Sequence, residues 1–147
     1  MKKRALAVTI ALLLSVIAAS QCYAQQLALV VNIPFAFQVG GKTLPAGEYR
    51  VLHVSTRDRT VQRIERTDNL VEMTVLTIGV DQNGREISPK LIFNRYGDTY
   101  FLSQMWSSDG LGRQFFQSGR EKELARTTAK IEVALPAHSS SVREKGR

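Results

Sequence analysis

Short runs of β-favouring residues recur along most of this chain, and turn-forming residues separate them. The run 27–33 ends at a proline, 35–39 ends at Gly40-Gly41, and 70–80 ends at Asp-Gln-Asn-Gly. Strands about 8–12 residues apart, with turn signals between them, are typical of all-β sandwiches and barrels. We therefore predict a mainly β fold, a single antiparallel β-sandwich or small β-barrel with one short C-terminal helix.

The best-defined hairpin is predicted at residues 89–106. Gly97-Asp98 fits a two-residue turn with glycine where positive φ is needed. This turn places Arg95 opposite Tyr100, Phe93 opposite Leu102 and Leu91 opposite Gln104 in the predicted register. One predicted face carries Leu91, Phe93, Tyr100, Leu102 and Trp106, and the other carries Ile92, Tyr96, Phe101 and Met105. Because both faces are apolar, we expect the hairpin to be covered on both sides.

The sequence Ser118-Gly119-Arg120-Glu121 is a capping box and predicts the one helix. In this motif the Ser118 hydroxyl accepts from the Glu121 backbone, and the Glu121 carboxylate accepts from the Ser118 backbone. The helix is expected to end near Thr128, with Leu124 as its main buried contact. Residues 131–135 alternate like a final strand, and 136–147 are expected to form a disordered basic tail.

The first 24 residues have the pattern of a secretory signal peptide. Residues 2–4 are basic, 5–19 are mostly apolar, and small side chains precede a cleavage point between Ala24 and Gln25. An apolar run of about 15 residues is shorter than the ~20 that a membrane-spanning helix needs. A lipoprotein signal at Cys22 is disfavoured by the glutamine before it. We expect a periplasmic or secreted protein with no stable membrane anchor after cleavage.

Cleavage changes the charge and the cysteine count of the chain. The full sequence has 20 basic and 13 acidic residues, and without the three basic residues at 2–4 the balance is 17 to 13, or about +4. Cleavage also removes Cys22, the only cysteine, which suits an oxidising compartment. Residues 25–135 then form the predicted single β domain.

The arginines of residues 57–66 do not predict a nucleic-acid surface. Arg57, Arg59, Arg63 and Arg66 alternate with Asp58, Glu65 and Asp68. A nucleic-acid footprint carries charge of one sign. We interpret the segment as a solvated sheet edge of mixed charge, and we expect no nucleic-acid partner.

Motifs for catalysis, cofactors or metals are incomplete. Gly40-Gly41-Lys42-Thr43 resembles the end of a phosphate-binding loop, but the earlier glycine and the following helix are missing. Residues 81–86 lack the distal glutamate of a calcium loop. His53 and His138 are the only histidines; we expect His53 on a strand surface and find no nucleophile motif for it. We predict no catalytic, cofactor or metal residues.

Two weaker possibilities concern carboxylates and aromatic side chains. Glu48, Asp98 and Asp109 lie in or beside turns, where acidic residues are common, so a carboxylate-dependent hydrolase is the least favoured function. Aromatic residues at strand spacing are mostly core residues. Tyr96 and Trp106, at the two ends of the predicted hairpin, are the weak ligand-binding candidates.

Three blocks of sequence resemble a group of small secreted bacterial proteins of unknown function. These blocks are Ile33 to Tyr49 (IPFAFQVGGKTLPAGEY), Phe93 to Leu102 (FNRYGDTYFL) and Ser118 to Leu124 (SGREKEL), and the likeness covers roughly residues 30–126. The resemblance implies a shared fold and an exported location. It implies no catalytic residues.

These observations favour a non-catalytic envelope protein that binds a small molecule or an envelope component through a sheet face or barrel mouth. The alternatives are a structural protein that self-associates through sheet edges and, last, the carboxylate-dependent hydrolase. The ligand and the oligomeric state stay open at this point.

Overall fold

A computed structural model describes residues 26–55, 57, 59–81 and 88–142. The predicted signal peptide, the cleavage point at Ala24 and Gln25, and most of the turn at 81–86 lie outside these residues. The described chain forms β1 (Gln26–Ile33), β2 (Phe37–Val39), β3 (Lys42–Leu44), β4 (Gly47–His53), β5 (Val61–Arg66), β6 (Glu72–Val80), β7 (Lys90–Tyr96), β8 (Thr99–Trp106), β9 (Gly112–Phe115), α1 (Gly119–Thr127), β10 (Lys130–Pro136) and β11 (His138–Val142). Within these residues, the predicted mainly β fold with one short helix is confirmed.

The strands form one hydrogen-bonded path in the order β10-β7-β8-β9-β6-β5-β4-β1-β11. Strand β2 lies off this path, antiparallel to β3 and parallel to β8. The two ends of the path, β10 and β11, are consecutive in sequence. The chain therefore brings the ends of the sheet together at Ala137, whose N–H donates to the Pro89 carbonyl at 2.9 Å.

The core is built from the inner faces of these strands and is rich in aromatic contacts. The Phe37 ring packs edge-to-face on Tyr49 and Phe93, with centroids 5.2 and 5.5 Å apart. Phe35 meets Phe93 in the same way at 5.2 Å and stacks on Tyr100. Offset and edge-to-face pairs add to the stabilisation from burial alone. These rings join the β2 segment, β4 and the β7–β8 hairpin.

The LPAGEY segment folds as a turn held by a tyrosine. The hydroxyl of the fully buried Tyr49 donates to the Pro45 carbonyl at 2.7 Å. Desolvation by burial is the main reason that the pKa of Tyr49 is raised, so the hydroxyl keeps its proton. A Cβ on Gly47 would lie 2.9 Å from Arg66 Cδ. Glycine is therefore needed here to let the Arg66 side chain cross the turn.

The predicted register of the β7–β8 hairpin is correct near the turn and wrong beyond a bulge. Arg95 pairs with Tyr100 and Phe93 pairs with Leu102, as expected. The register then shifts, so that Leu91 pairs with Met105 rather than with Gln104. Because one residue of β8 (Ser103) is left over, Met105 joins the inner core with Leu91, and Trp106 moves to the other face.

Both faces of the hairpin are covered, as predicted. On the outer face, the side chains of Ile92, Asn94, Tyr96, Phe101 and Trp106 are all buried. Helix α1 contacts this face through Glu121, whose carboxylate accepts a 2.9 Å hydrogen bond from the Asn94 amide.

Helix α1 begins at the predicted cap but is anchored by a different residue. The Ser118 hydroxyl accepts from the Glu121 N–H at 3.2 Å. The Glu121 carboxylate does not return to the Ser118 backbone; it accepts from Asn94 and from Gln117 instead. Glu121 is 3% exposed, whereas Leu124 is only partly buried. The expectation that Leu124 is the main buried contact is therefore wrong.

Two further expectations are corrected by strand pairing. Residues 138–142 are not a disordered tail: they form β11, which pairs with β1 from Gln26↔Val142 to Val30↔His138. Residues 143–147 lie outside the described part. Strand β5, which carries Arg63 and Arg66, is not a sheet edge, because β4 and β6 pair with its two sides. Backbone pairing corrects both expectations, with one neighbour for β11 and two for β5, and local composition does not reveal such pairing.

Candidate functional site

Strand β6 changes its partner halfway along its length. Residues 72–76 pair with β5, and 77–80 pair with β9 on the opposite edge. Within the described chain, no strand pairs with the second edge of 72–76. This half of β6 is therefore an open edge inside the sheet.

The direction of the backbone groups follows from the hydrogen bonds that frame the β5–β6 ladder. Arg66 N–H donates to the Val71 carbonyl, and Thr77 N–H donates to the Thr60 carbonyl. Hydrogen-bonded pairs alternate with non-bonded pairs in an antiparallel ladder, so the backbone N–H and C=O of Met73 and Val75 also point toward β5. The N–H and C=O of Thr74, midway between them, point away from β5 and toward the open edge.

A groove of about 340 Å³ lies along this edge. It is situated where β9 ends and the β2–β3 turn begins. Its lining residues are Val39, Gly40, Thr74, Val75, Leu76, Phe115 and Phe116. The turn fits closely: a Cβ on Gly40 would meet Val75 Cγ1 at 3.0 Å, and Gly40 has a φ of +55°. The glycine pair that resembles a phosphate-binding loop is thus a hairpin turn at the end of the groove.

Apolar side chains beside the groove are exposed. Leu76 is 62% exposed, Phe116 is 59% exposed and Ile78 is 46% exposed. Leu76 pairs with Val61 of β5, and Ile78 lies two residues along the same face of β6. Clustered exposed apolar residues mark interaction surfaces more often than isolated ones do. We call Thr74, Leu76, Ile78 and Phe116, together with the groove, the β6 edge site.

A second, smaller cavity of about 80 Å³ lies beside β4, across β5 from the groove. Leu29, Val51 and Met105 form its apolar wall, and His53 and Ser107 its polar wall. Arg59 and Asp109, from the β4–β5 and β8–β9 turns, also line it and form a 3.1 Å ion pair. His53 is therefore half-buried on the inner face rather than on the strand surface that the sequence predicts.

The electrostatic surroundings of His53 disfavour its charged form. Burial lowers the pKa of His53 most, and the nearby guanidinium groups of Arg59 and Arg113 lower it further. Gln62 and Asp109 act in the opposite direction more weakly. His53 is thus neutral at pH 7.

The sequence-predicted ligand candidates lie away from both cavities. Tyr96 and Trp106 are each 4% exposed, and neither lines a described groove or cavity. Tyr96 packs against Phe101, and Trp106 Nε1 donates to Gln104 at 3.1 Å. Their role as ligand-binding residues stays a prediction.

The three carboxylates considered for hydrolysis are not gathered in either cavity. Glu48 lies on β4, Asp98 lies in the β7–β8 turn, and only Asp109 lines a cavity. Both Asp109 oxygens are engaged, one by Arg59 and the other by the Leu111 N–H.

Among the described residues, no group of three or more His, Cys, Asp or Glu side chains is placed to hold a metal ion. In the same part of the chain, no helix has the length and apolar character needed to cross a membrane.

Among known proteins, the chain matches no family model, no curated protein and no solved structure.

The β6 edge site was not found by sequence reasoning, although one signal for it exists. The segment MTVLTIGV is apolar at both odd and even positions. A strand of this kind is usually buried on both faces. Here the odd positions, Met73, Val75 and Thr77, are buried, whereas the even positions are exposed.

Proposed function

We propose that this chain is an exported, non-catalytic β domain that binds an extended segment of a partner polypeptide at the β6 edge site. The observation that carries the proposal is the change of partner along β6, which leaves backbone groups of Thr74 facing an apolar groove. The signal-peptide pattern of residues 1–24 supports export.

An extended polypeptide suits this site for two reasons. Unpaired N–H and C=O groups at a sheet edge are satisfied by an added strand, which supplies both partners at the right spacing. Alternate side chains of such a strand point to one face. One apolar side chain can therefore enter the groove beside Phe115 while the backbone pairs with Thr74.

The alternative functions have less support in the geometry. Self-association through the end strands β10 and β11 is disfavoured by their composition, because β10 carries Lys130 and Glu132 and β11 carries Ser139 to Ser141. Charged and polar edge strands resist edge-to-edge pairing. A hydrolase requires two carboxylates at one cleft, and neither described cavity has them.

The test uses a phage-displayed library of random 12-residue peptides and the mature protein. Synthetic versions of enriched peptides are titrated against the wild type, Thr74→Ala and Thr74→Pro by calorimetry. Proline removes the outward N–H of Thr74, and proline is tolerated at an edge where that N–H has no ladder partner. The alanine variant keeps the N–H, so it is the matched control.

We expect Thr74→Ala to retain peptide binding and Thr74→Pro to weaken it about tenfold, the equivalent of one lost hydrogen bond at a buried interface. Leu76→Ser should weaken binding as well, because it removes apolar contact beside the groove. The urea midpoint of each variant shows that it is folded. Peptides that bind the proline and alanine variants equally, or a library that yields no binder, would overturn the proposal.

A further inference from the structure

Two buried polar atoms lie beside the small cavity. His53 Nδ1 and Gln62 Oε1 are both buried with no other protein partner, and a hydrogen bond between the two side chains is among the influences that raise the pKa of His53. These two residues are directly opposite each other on β4 and β5. The Gln62 amide is oriented by its Nε2, which donates to the Arg59 carbonyl. Its Oε1 is therefore the atom left to accept a hydrogen bond from the imidazole N–H.

This arrangement favours the tautomer of neutral His53 that carries its proton on Nδ1. A proton on Nδ1 faces the Gln62 oxygen, so Nε2 is the nitrogen free to take up a second proton. Once charged, the imidazole donates from Nδ1 toward Gln62, and its Nε2–H is a second donor. Ser107, which lines the same cavity and is 7% exposed, offers a hydroxyl donor as well.

The charged groups around the cavity leave an excess of positive charge. Arg59 is neutralised by Asp109, whose second oxygen accepts from the Leu111 N–H. Arg113 of β9 lies near enough to lower the pKa of His53 and forms no ion pair with any described side chain. An anion is therefore favoured here, and a cation is not.

We propose that this cavity binds a short-chain monocarboxylate of the size of acetate together with a proton on His53. A volume of about 80 Å³ holds roughly two to three waters, and an ion of a few heavy atoms occupies similar space. The two carboxylate oxygens match the donors of His53 and Ser107. The aliphatic end matches the wall of Leu29, Val51 and Met105.

Acetate binding to this cavity should strengthen as the pH falls. The neutral imidazole lacks the second donor and the charge, so acetate binds the protonated form. Linkage then requires that acetate raise the pKa of His53, and that acetate bind more tightly as the pH falls through that pKa. An opposite charge at contact distance shifts a pKa by about one to three units.

The experiment is an NMR titration of ¹³C-labelled histidine in the mature protein, in sodium acetate and in sodium chloride at equal ionic strength. His138 lies exposed on β11 and serves as the internal control for general salt effects. We expect the pKa of His53 to rise by at least about one unit in saturating acetate relative to chloride.

Two arginine variants separate the site from a general charge effect. Arg113→Gln removes the unpaired guanidinium near His53, and Arg57→Gln removes an exposed one in the β4–β5 turn. Of the two arginine variants, only Arg113→Gln should weaken acetate binding. Ser107→Ala should weaken it as well, because it removes the hydroxyl donor. An equal His53 pKa in acetate and chloride, or equal effects of the two arginine variants, would overturn the proposal. Neither result bears on peptide binding at the β6 edge site.

Discussion

The carboxylate of Glu121 accepts a 2.9 Å hydrogen bond from the Asn94 amide, and both side chains are almost fully buried. This contact joins the first turn of α1 to the outer face of β7. A polar pair, rather than the apolar stripe of an ordinary amphipathic helix, therefore positions the helix.

Replacing Glu121 with alanine should destabilise the protein by about 1–3 kcal/mol, because the Asn94 amide is left buried without its acceptor. The free energy of unfolding from urea titration measures this loss. Glu123→Ala, on the exposed side of the same helix, is the matched control and should change stability by less than about 0.5 kcal/mol. Equal losses in the two variants would show that Asn94 does not anchor the helix.

Replacing Tyr49 with phenylalanine should lower the free energy of unfolding by about 0.5–1.5 kcal/mol, the net value of one hydrogen bond, because the carbonyl of the exposed Pro45 loses its donor. The ring itself still fills the core, so the cost isolates the hydroxyl. Tyr100→Phe, at a half-buried tyrosine with no hydroxyl contact of this kind, is expected to have a smaller effect. The midpoints of urea unfolding compare the two, and a Tyr49→Phe midpoint equal to the wild type would rule out the role of the hydroxyl.

Gly112→Ala should destabilise the protein by about 1–3 kcal/mol through overpacking. The added Cβ would lie 2.5 Å from Cζ3 of the buried Trp106 ring and 2.7 Å from Val80 Cγ2. Gly119→Ala is the matched control, because no atom lies within 4 Å of its Cβ and it stands at the start of α1. We expect Gly119→Ala to leave stability unchanged or raise it by up to about 1 kcal/mol. Equal melting temperatures for the two variants would contradict this packing.

The stability of the protein should fall as the pH drops below about 6.5, the ordinary pKa of histidine, because the pKa of His53 is lowered in the folded state. The unfolded chain then binds a proton that the folded chain excludes, so the contribution is full above 6.5 and is lost as the pH falls through the folded pKa. His53→Gln should flatten the change in melting temperature between pH 7 and pH 5.5, measured in phosphate buffers. His138→Gln should keep the wild-type slope; if both variants keep it, His53 is not the group responsible.

The sequence predicts the features that a few neighbouring residues determine, such as a tight turn and the start of a helix. The Gly97-Asp98 turn correctly sets the pairs next to it, and Ser118 correctly starts the helix. The prediction omits the bulge in β8 because it assumes a regular strand through Ser103. No spacing in the sequence marks the bulge, because β8 is apolar and buried on both faces on either side of Ser103, at Phe101, Leu102, Met105 and Trp106.

Features that depend on distant pairing could not be predicted. Strand β9 has only four residues, and its position beside β6 is set by β8 on its other side. The polar run Ser139 to Ser141 has little strand propensity, yet it pairs with β1. The β6 edge site exists because β9 stops at Phe115, and no local pattern in β6 shows where its neighbour ends.

Amide hydrogen exchange of residues 25–147, followed by NMR, shows whether half of β6 is an open edge. We expect exchange rates to alternate along β6: slow at Met73 and Val75, whose N–H groups bond to β5, and fast at Thr74. Adding a peptide that binds should slow exchange at Thr74. A Thr74 amide already as protected as Val75 in the free protein would mean that this edge of β6 is occupied and that no open edge exists.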